Sequence, residues 1–279
     1  SCGAKLPILT AIAGAIVANA GTGNADVITY SMYLLGIVVA ICSVLLMRST
    51  TLKGETPPFI MELPAYHMPQ FKNLMAHLWD KTKHFVKKAF TIILVSTIVI
   101  WVLTHFDFSW TLLADEQIDK SILASISKLV QPLFTPLGFG SQLGSLGWVF
   151  VLAAVSGLIA KENIVGTLGI LYGGGELSVY AELARSFTKL SGMSFLIFNL
   201  LCAPCFAAMG AIKREMNRTK WTTFAIGYEC VFAYAIALVV YQLGSLFTGR
   251  GFTVGTVAGI AVLAVLIYAL VRPEKKYSE

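Results

Sequence analysis

The chain has 279 residues, of which 56% are hydrophobic and only 13% are charged, and its mean hydropathy is +0.74. A soluble domain carries about 25% charged residues, so this composition excludes an ordinary soluble protein. It indicates a polytopic membrane protein.

The formal net charge of +6 does not indicate nucleic-acid binding, because Lys and Arg are concentrated in particular loops, as the positive-inside bias of membrane proteins predicts. The five cysteines lie in apolar context, which argues against an extracellular disulfide framework. The chain starts at Ser1, and no basic segment precedes its first apolar run. We therefore expect no signal peptide, and we expect a fragment or processed piece of a longer protein.

Apolar runs of roughly 20 residues, the length that crosses a bilayer, recur along the chain. The predicted fold class is an all-α polytopic membrane protein: a transmembrane helix bundle with a gate-type re-entrant broken helix and one interfacial amphipathic helix. The predicted division of this single transmembrane domain, 1–279, is first spans in 1–47, a cytoplasmic loop with an amphipathic helix in 48–88, a span in 89–104, an extracytoplasmic loop in 105–146, a C-terminal gate region in 147–271 with re-entrant 147–172, and a cytoplasmic tail in 272–279.

The amphipathic helix is predicted for residues 70–88. Apolar residues from Phe71 to Ala89 follow helical spacing, and lysines fill the other face. A basic helix of this kind lies in the membrane interface. In the loop beyond, a modest helix is predicted from about Ile118 to Leu133, with breaks at Pro132 and Pro136.

The stretch 147–172 is long and apolar enough to cross a bilayer, yet Lys161, Glu162 and Asn163 lie near its middle. The preceding loop, 105–146, holds two Lys or Arg against four Asp or Glu, so it is predicted outside. Counting crossings back from the basic tail places the following linker outside too. The stretch must then enter and leave on the same side, which favours a re-entrant pair of half-helices over a plain span.

Three ionised side chains lie well inside apolar runs, namely Lys161, Glu162 and Glu229, whereas Lys5 is expected at a segment end. A charge at bilayer depth costs at least ~2.5–3.5 kcal/mol, so it is retained where it faces protein or water. We expect Lys161 to pair with Glu162 or Glu229 without metal and to move away when a metal arrives. The alternative is a helix that ends at Ala160 and lets Lys161 reach a headgroup.

Several short motifs then occur in order: Ser1-Cys-Gly-Ala-Lys-Leu-Pro7, Glu62-Leu-Pro-Ala-Tyr66, Gly157-Leu-Ile-Ala-Lys-Glu162, Thr167-Leu-Gly169, Pro204-Cys205, and Glu215 ahead of Lys220-Trp221. Together they cover nearly the whole chain and resemble the membrane domain of FeoB-type ferrous iron transporters. The chain departs from that pattern at Cys202, where an aromatic residue is more common, at His67, where arginine is, and at Ala65, where a second proline is.

The resemblance implies ferrous iron uptake across the bacterial inner membrane, with Fe(2+) as transported substrate. The chain would be the C-terminal membrane half of a GTPase-linked transporter, multi-pass, with its C-terminus in the cytoplasm. Implied partners are membrane lipids, the missing N-terminal GTPase and first gate region, small cytoplasmic Feo accessory proteins and further copies of the chain, but no nucleic acid. No G-x-x-x-x-G-K-[ST] phosphate loop occurs in the sequence, so we expect neither a GTP site nor enzyme activity in this chain.

Ferrous iron accepts thiolate, imidazole and carboxylate ligands, and a transport site should hold few ligands of mixed strength so that the ion can leave again. The resemblance points to two cysteines as soft donors, and carboxylates can add hard oxygen. The predicted metal ligands are Cys2, Cys205, Glu162 and Glu229, and Lys161 and Asn163 are predicted to gate the site or pair its charges. Ordinary packing is the alternative role for each cysteine.

Other functions stay open on the sequence alone. The C-x-x-C spacing of Cys202 and Cys205 is compatible with a membrane redox protein. Pro204 between them predicts a helix kink instead. A gate-fold transporter of another small solute, such as a nucleoside, or a structural fragment would also fit the apolar pattern.

Overall fold

The computed structural model describes residues 3, 5–20, 23–50, 70–159, 161, 164, 187–216, 218–249 and 251–271. In these ranges the chain is all-α, apart from one isolated bridge between Phe106 and Leu112. The α-helices are α1 (Lys5–Ala20), α2 (Ala25–Thr50), α3 (Phe71–His105), α4 (Ile122–Phe134), α5 (Gly147–Ile159), α6 (Lys189–Leu201), α7 (Phe206–Met216), α8 (Thr219–Phe247) and α9 (Val254–Val271). Short 3-10 helices cover Asp115–Lys120, Thr135–Leu137 and Ser141–Leu146.

Within the described ranges, three helices are long and apolar enough to cross a bilayer: Ala25–Met47 in α2, Thr219–Phe247 in α8 and Val254–Val271 in α9. They coincide with three of the predicted spans. Most large apolar side chains of α2 and α9 are exposed, as lipid-facing positions are. The all-helical, membrane-spanning class predicted from the sequence is therefore confirmed.

Helix α3 covers two segments that were predicted to be separate. It runs without interruption for 35 residues, so the predicted interfacial helix 70–88 and the span 89–104 form one helix. Every side chain from Phe71 to Lys83 is exposed, on the apolar as well as the basic face. The interfacial position of this half stays a prediction, while the other end packs through Ile100 onto Leu123 and Leu152.

The loop after α3 contains α4, whose bounds differ from the prediction. The helix begins later, at Ile122, because Ser121 has an extended backbone and its hydroxyl accepts a hydrogen bond from the Ala124 amide. It also continues through Pro132 to Phe134, so a break at Pro132 was wrong. Because Pro132 lies in the last turn of α4, its missing amide removes only one backbone hydrogen bond of the helix.

The core is built around α6. All side chains from Ser194 to Leu200 are buried, and among the described helices the most extensive interface joins α6 to α8. Buried aromatic rings connect α6 to its surroundings, with Phe195 in edge contact with Phe139 and Phe150. Since α6 has 13 residues, it is only about 20 Å long, too short to cross a bilayer that is about 30 Å thick.

Helix α6 ends inside the bundle, and the path of the chain after α5 is constrained by Ile164. Helix α6 stops at Leu201 and α7 starts at Phe206, which confirms the interruption predicted at Cys202–Cys205. Helix α5 is described as far as Ile159, and the Ile164 side chain occupies the place that a Cβ on Gly157 would take. In a straight helix these two residues would be about 10 Å apart along the axis, so α5 does not continue straight to Ile164. The return limb of the predicted re-entrant pair lies outside the described residues, and that pairing stays a prediction.

Candidate functional site: a lysine-capped helix break

The break after α6 leaves backbone carbonyls without helical partners. Cys202 has an extended backbone, and its amide makes the last helical bond, to the Phe198 carbonyl at 2.8 Å. Pro204 has no amide hydrogen, so it cannot satisfy a carbonyl of the preceding turn. The final carbonyls of a helix also carry the negative end of its dipole, which attracts cations.

Lys161 fills this position from the region that follows α5. Its side chain is 2% exposed, and Nζ donates to the carbonyl of Asn199 at 3.0 Å and to that of Cys202 at 3.4 Å. The predicted depth of Lys161 therefore has a physical explanation: its ammonium group caps the carbonyl end of a half-helix.

Lys5 performs the same task from α1. Its Nζ donates to the Leu200 carbonyl at 2.6 Å, across 195 residues of sequence. Lys5 is the first residue of α1, as the expectation of a segment end required, but its contact with the break was not predicted. Helix α1 packs against α6, and this packing carries the Lys5 side chain to the break.

Glu229 on α8 supplies the opposing charge. Its side chain is half-buried, and its carboxylate is attracted by Lys5 and, more weakly, by Lys161. Its Oε2 atom is buried and has no hydrogen-bond partner among the described residues. Two ammonium groups thus bind the α6 carbonyls, one carboxylate attracts both of them, and one of its oxygens is left to accept a further donor or cation.

An open cavity of about 520 Å³ gives access to this group. Its wall is formed by the start of α1, one side of α2, the end of α6 with the break, and α8. The polar or ionisable side chains in the wall are those of Lys5, Tyr33, Ser43, Cys202, Tyr228 and Glu229. The Ser43 hydroxyl donates to that of Tyr228 at 3.0 Å and so joins α2 to α8 beside the cavity.

The cysteines do not pair as their spacing suggested. Cys202 is buried, and its Sγ lies 3.8 Å from Sγ of Cys230 on α8. Cys205 is half-buried beyond Pro204, and in the described part of the chain the sulfur contact of Cys202 is to Cys230, not to Cys205. Cys42 lies half-buried on α2.

Of the predicted site residues, the structure describes Lys161, Cys205 and Glu229, whereas Cys2, Glu162 and Asn163 lie outside the described residues. In the ranges that are described, no group of three His, Cys, Asp or Glu side chains is close enough to hold a metal ion. A metal site at the break therefore needs ligands from beyond these ranges or a rearrangement within them.

Lys5 and Cys230 were not among the predicted site residues. The signal for Lys5 was a charge at the head of an apolar helix that the bundle buries. The signal for Cys230 was its position directly after the half-buried Glu229. Neither signal identifies the distant contact.

The sequence matches known families and proteins over most of its length. The family model described as "Ferrous iron transport protein B C terminus" matches residues 29–81, and the model described as "Nucleoside recognition" (gate) matches residues 86–219. The chain is 36% identical over 251 residues to the Fe(2+) transporter FeoB of Methanocaldococcus jannaschii, and 34% identical over 247 residues to that of Staphylococcus aureus strain COL. Each match covers 88% of the chain but only 36% and 35% of the relatives' lengths. No solved structure matches.

Proposed function

The chain belongs to the FeoB-type family of ferrous iron transporters, and from that membership we propose that it forms part of the path by which Fe(2+) crosses the bacterial inner membrane. The protein is multi-pass, with its C-terminus in the cytoplasm, where the basic loops and tail also lie. Its role is the passage of the ion, and it is not an enzyme.

The lysine-capped break of α6 carries this proposal. The carbonyls of Asn199, Leu200 and Cys202 face a position that favours positive charge, and in the structure two ammonium groups occupy it. A divalent cation that enters the cavity competes for the same carbonyls and for Glu229. Broken helices with unwound carbonyls form the ion sites of many transporters.

The proposed ligands combine soft and hard donors. Cys2 and Cys205 supply sulfur, and Glu162 and Glu229 supply oxygen. Lys161 neutralises the site while it is empty and withdraws when the ion arrives, and Asn163 assists at the same turn. Since a few mixed ligands bind weakly enough for release, this set suits passage better than storage.

The proposed partners follow from the family and from the length of the relatives. A GTP-binding region and a first gate region would act with this chain, which itself binds no GTP, and copies of the chain would associate in the lipid bilayer. One relative from Porphyromonas gingivalis, 29% identical over 293 residues, is an Fe(2+) transport protein A/Fe(2+) transporter FeoB fusion protein. That fusion supports small Feo proteins as accessory partners.

Fe(2+) influx into vesicles tests the proposal. The 279-residue chain is reconstituted with an internal dye that Fe(2+) quenches, under reducing conditions. Glu229→Gln keeps the size of the side chain and removes its charge, and Asp80→Asn on the exposed half of α3 is the matched control. We expect rapid quenching with the unmodified chain and the control, and quenching as slow as in protein-free vesicles with Glu229→Gln. Equal rates for all three proteins, or no influx through the unmodified chain, would contradict the proposal.

A nucleoside is the second candidate solute, because the gate model matched to residues 86–219 carries that description. The cavity could accommodate a small molecule, and the hydroxyl groups of Tyr33, Ser43 and Tyr228 could bind a sugar. Uptake of radiolabelled nucleosides into the same vesicles distinguishes the two solutes. Nucleoside uptake with no Fe(2+) influx would favour the second.

A further inference from the structure

Cys202 in the wall of the cavity forms, with Cys230 beside it, a thiol pair that the proposed metal ligands do not use. Cys202 is the first residue of the break, and Cys230 lies near the middle of α8. Their sulfur atoms are 3.8 Å apart, whereas a disulfide bond measures about 2.05 Å, so bond formation requires an approach of roughly 1.7 Å. Rotation of the two side chains about their Cα–Cβ bonds can supply much of this.

We propose that Cys202 and Cys230 form a reversible dithiol–disulfide pair, oxidised by low-molecular-weight disulfides of the glutathione class, that fixes the helix break to α8. The α6–α8 interface is extensive and keeps the two residues adjacent. The Lys161 ammonium donates to the Cys202 carbonyl at 3.4 Å, which places a cation beside the pair. The pair therefore combines proximity, a rigid frame and a neighbouring cation, a setting in which thiolates react.

The exchange takes two steps. Cys230 is the more exposed thiol, so its sulfur attacks one sulfur of the small disulfide; the bond of that disulfide breaks, and one small thiol leaves with the proton of Cys230. Cys202 then attacks the sulfur of Cys230, the mixed disulfide breaks, and the second small thiol leaves with the proton of Cys202. Two electrons and two protons pass from the pair to the reagent, which ends as two thiols.

The bond would restrain the part of the break that the proposed ion path uses. Lys161 donates to the carbonyl of Cys202, and Cys230 directly follows Glu229. A disulfide bond between Cys202 and Cys230 would oppose the displacement of Lys161 by a metal ion. Oxidation would then slow Fe(2+) influx, a consequence that rests on the proposed function, whereas the formation of the bond does not.

Peptide mapping tests the bond without reference to transport. The full chain in membranes is treated with oxidised glutathione, its remaining thiols are blocked with N-ethylmaleimide, and it is digested with trypsin. Cys202 and Cys205 then lie together on peptide 190–213, and Cys230 lies on peptide 221–250. We expect the two peptides to be joined in a species whose mass is two hydrogen atoms below the summed masses of the peptides with free Cys202 and Cys230. Treatment with dithiothreitol should separate them.

Variants identify the sulfur atoms involved. The joined peptides should persist in Cys205→Ser and in the Cys42→Ser control, and they should be absent in Cys202→Ser and Cys230→Ser. A bond within peptide 190–213, a link that persists in Cys202→Ser, or two peptides that stay separate in the unmodified chain would each overturn the proposal.

A transport arm uses the same oxidant on the vesicles described above. We expect oxidation to remove most of the Fe(2+) influx of the unmodified chain, dithiothreitol to restore it, and Cys230→Ser to be insensitive to oxidant. An oxidised chain that carries the bond and still transports at the full rate would refute the regulatory consequence. If the unmodified chain transports nothing, the proposed function fails, but the peptide map still decides whether the bond forms.

Discussion

Replacing Lys161 by methionine tests whether its ammonium holds the end of α6 in place. Methionine has a similar length and fills the same space, but it cannot donate a hydrogen bond. The carbonyls of Asn199 and Cys202, which belong to buried residues, would lose this donor.

The distances set the expected size of the effect. A hydrogen bond with a charged partner contributes about 1.5–3 kcal/mol. The hydrogen bond of Lys161 to Asn199, at 3.0 Å, should contribute this full amount, and the longer one to Cys202, at 3.4 Å, only part of it. The loss is offset in part because the variant no longer buries a charge. We therefore expect Lys161→Met to lower the free energy of unfolding by about 2–4 kcal/mol.

Reversible unfolding in mixed detergent micelles measures this difference, with the fluorescence of the five tryptophans as the probe. Lys72→Met on α3 is the matched control, because the Lys72 side chain is exposed and its replacement should change the unfolding free energy by less than about 0.5 kcal/mol. The loss of unfolding free energy in Lys5→Met should lie between those of Lys161→Met and Lys72→Met, because the half-buried Lys5 side chain loses its hydrogen bond to the Leu200 carbonyl. A Lys161→Met protein as stable as the Lys72→Met control would refute the assignment of Lys161 as the cap of α6.

Two further predictions concern the frame of the cavity and its support. Ser43→Ala and Tyr228→Phe each remove the hydrogen bond between α2 and α8, so each should lower the free energy of unfolding by about 1 kcal/mol. The double variant should lose less than the sum of the two single losses. Strictly additive losses would show that the bond contributes nothing. Gly138→Ala should destabilise the protein more than Gly144→Ala, as measured by unfolding. Both glycines have positive φ, but a Cβ on Gly138 would overlap the ring of Tyr241, whereas nothing lies within 4 Å of one on Gly144; equal losses would contradict this packing.

Local sequence patterns predicted the features that depend on neighbouring residues. Hydropathy over about 20 residues identified the spans in α2, α8 and α9. A proline between two cysteines located the end of α6, because a proline cannot continue the hydrogen bonding of a helix. The position of Lys161 inside an apolar run indicated that it must have partners in the fold.

The partners themselves could not be predicted. Lys5 and the Leu200 carbonyl are 195 residues apart, and only the packing of α1 on α6 brings them together. The C-x-x-C spacing suggested a pair between Cys202 and Cys205, but the break turns Cys202 towards Cys230, 28 residues away on α8. Spacing along a chain reports on one helix at a time, and the site lies where several helices meet.

The X-ray absorption spectrum of Fe(2+) bound to the chain, recorded at the iron edge, tests most directly whether the break is a metal site. Sulfur and oxygen neighbours can be counted separately from their distances to the iron. We predict that the spectrum of the unmodified chain contains sulfur neighbours, that their number falls in Cys205→Ser, and that it is unchanged in Cys42→Ser. Iron surrounded only by oxygen or nitrogen, or a sulfur count that Cys205→Ser leaves unaltered, would contradict the placement of the ion path at this break.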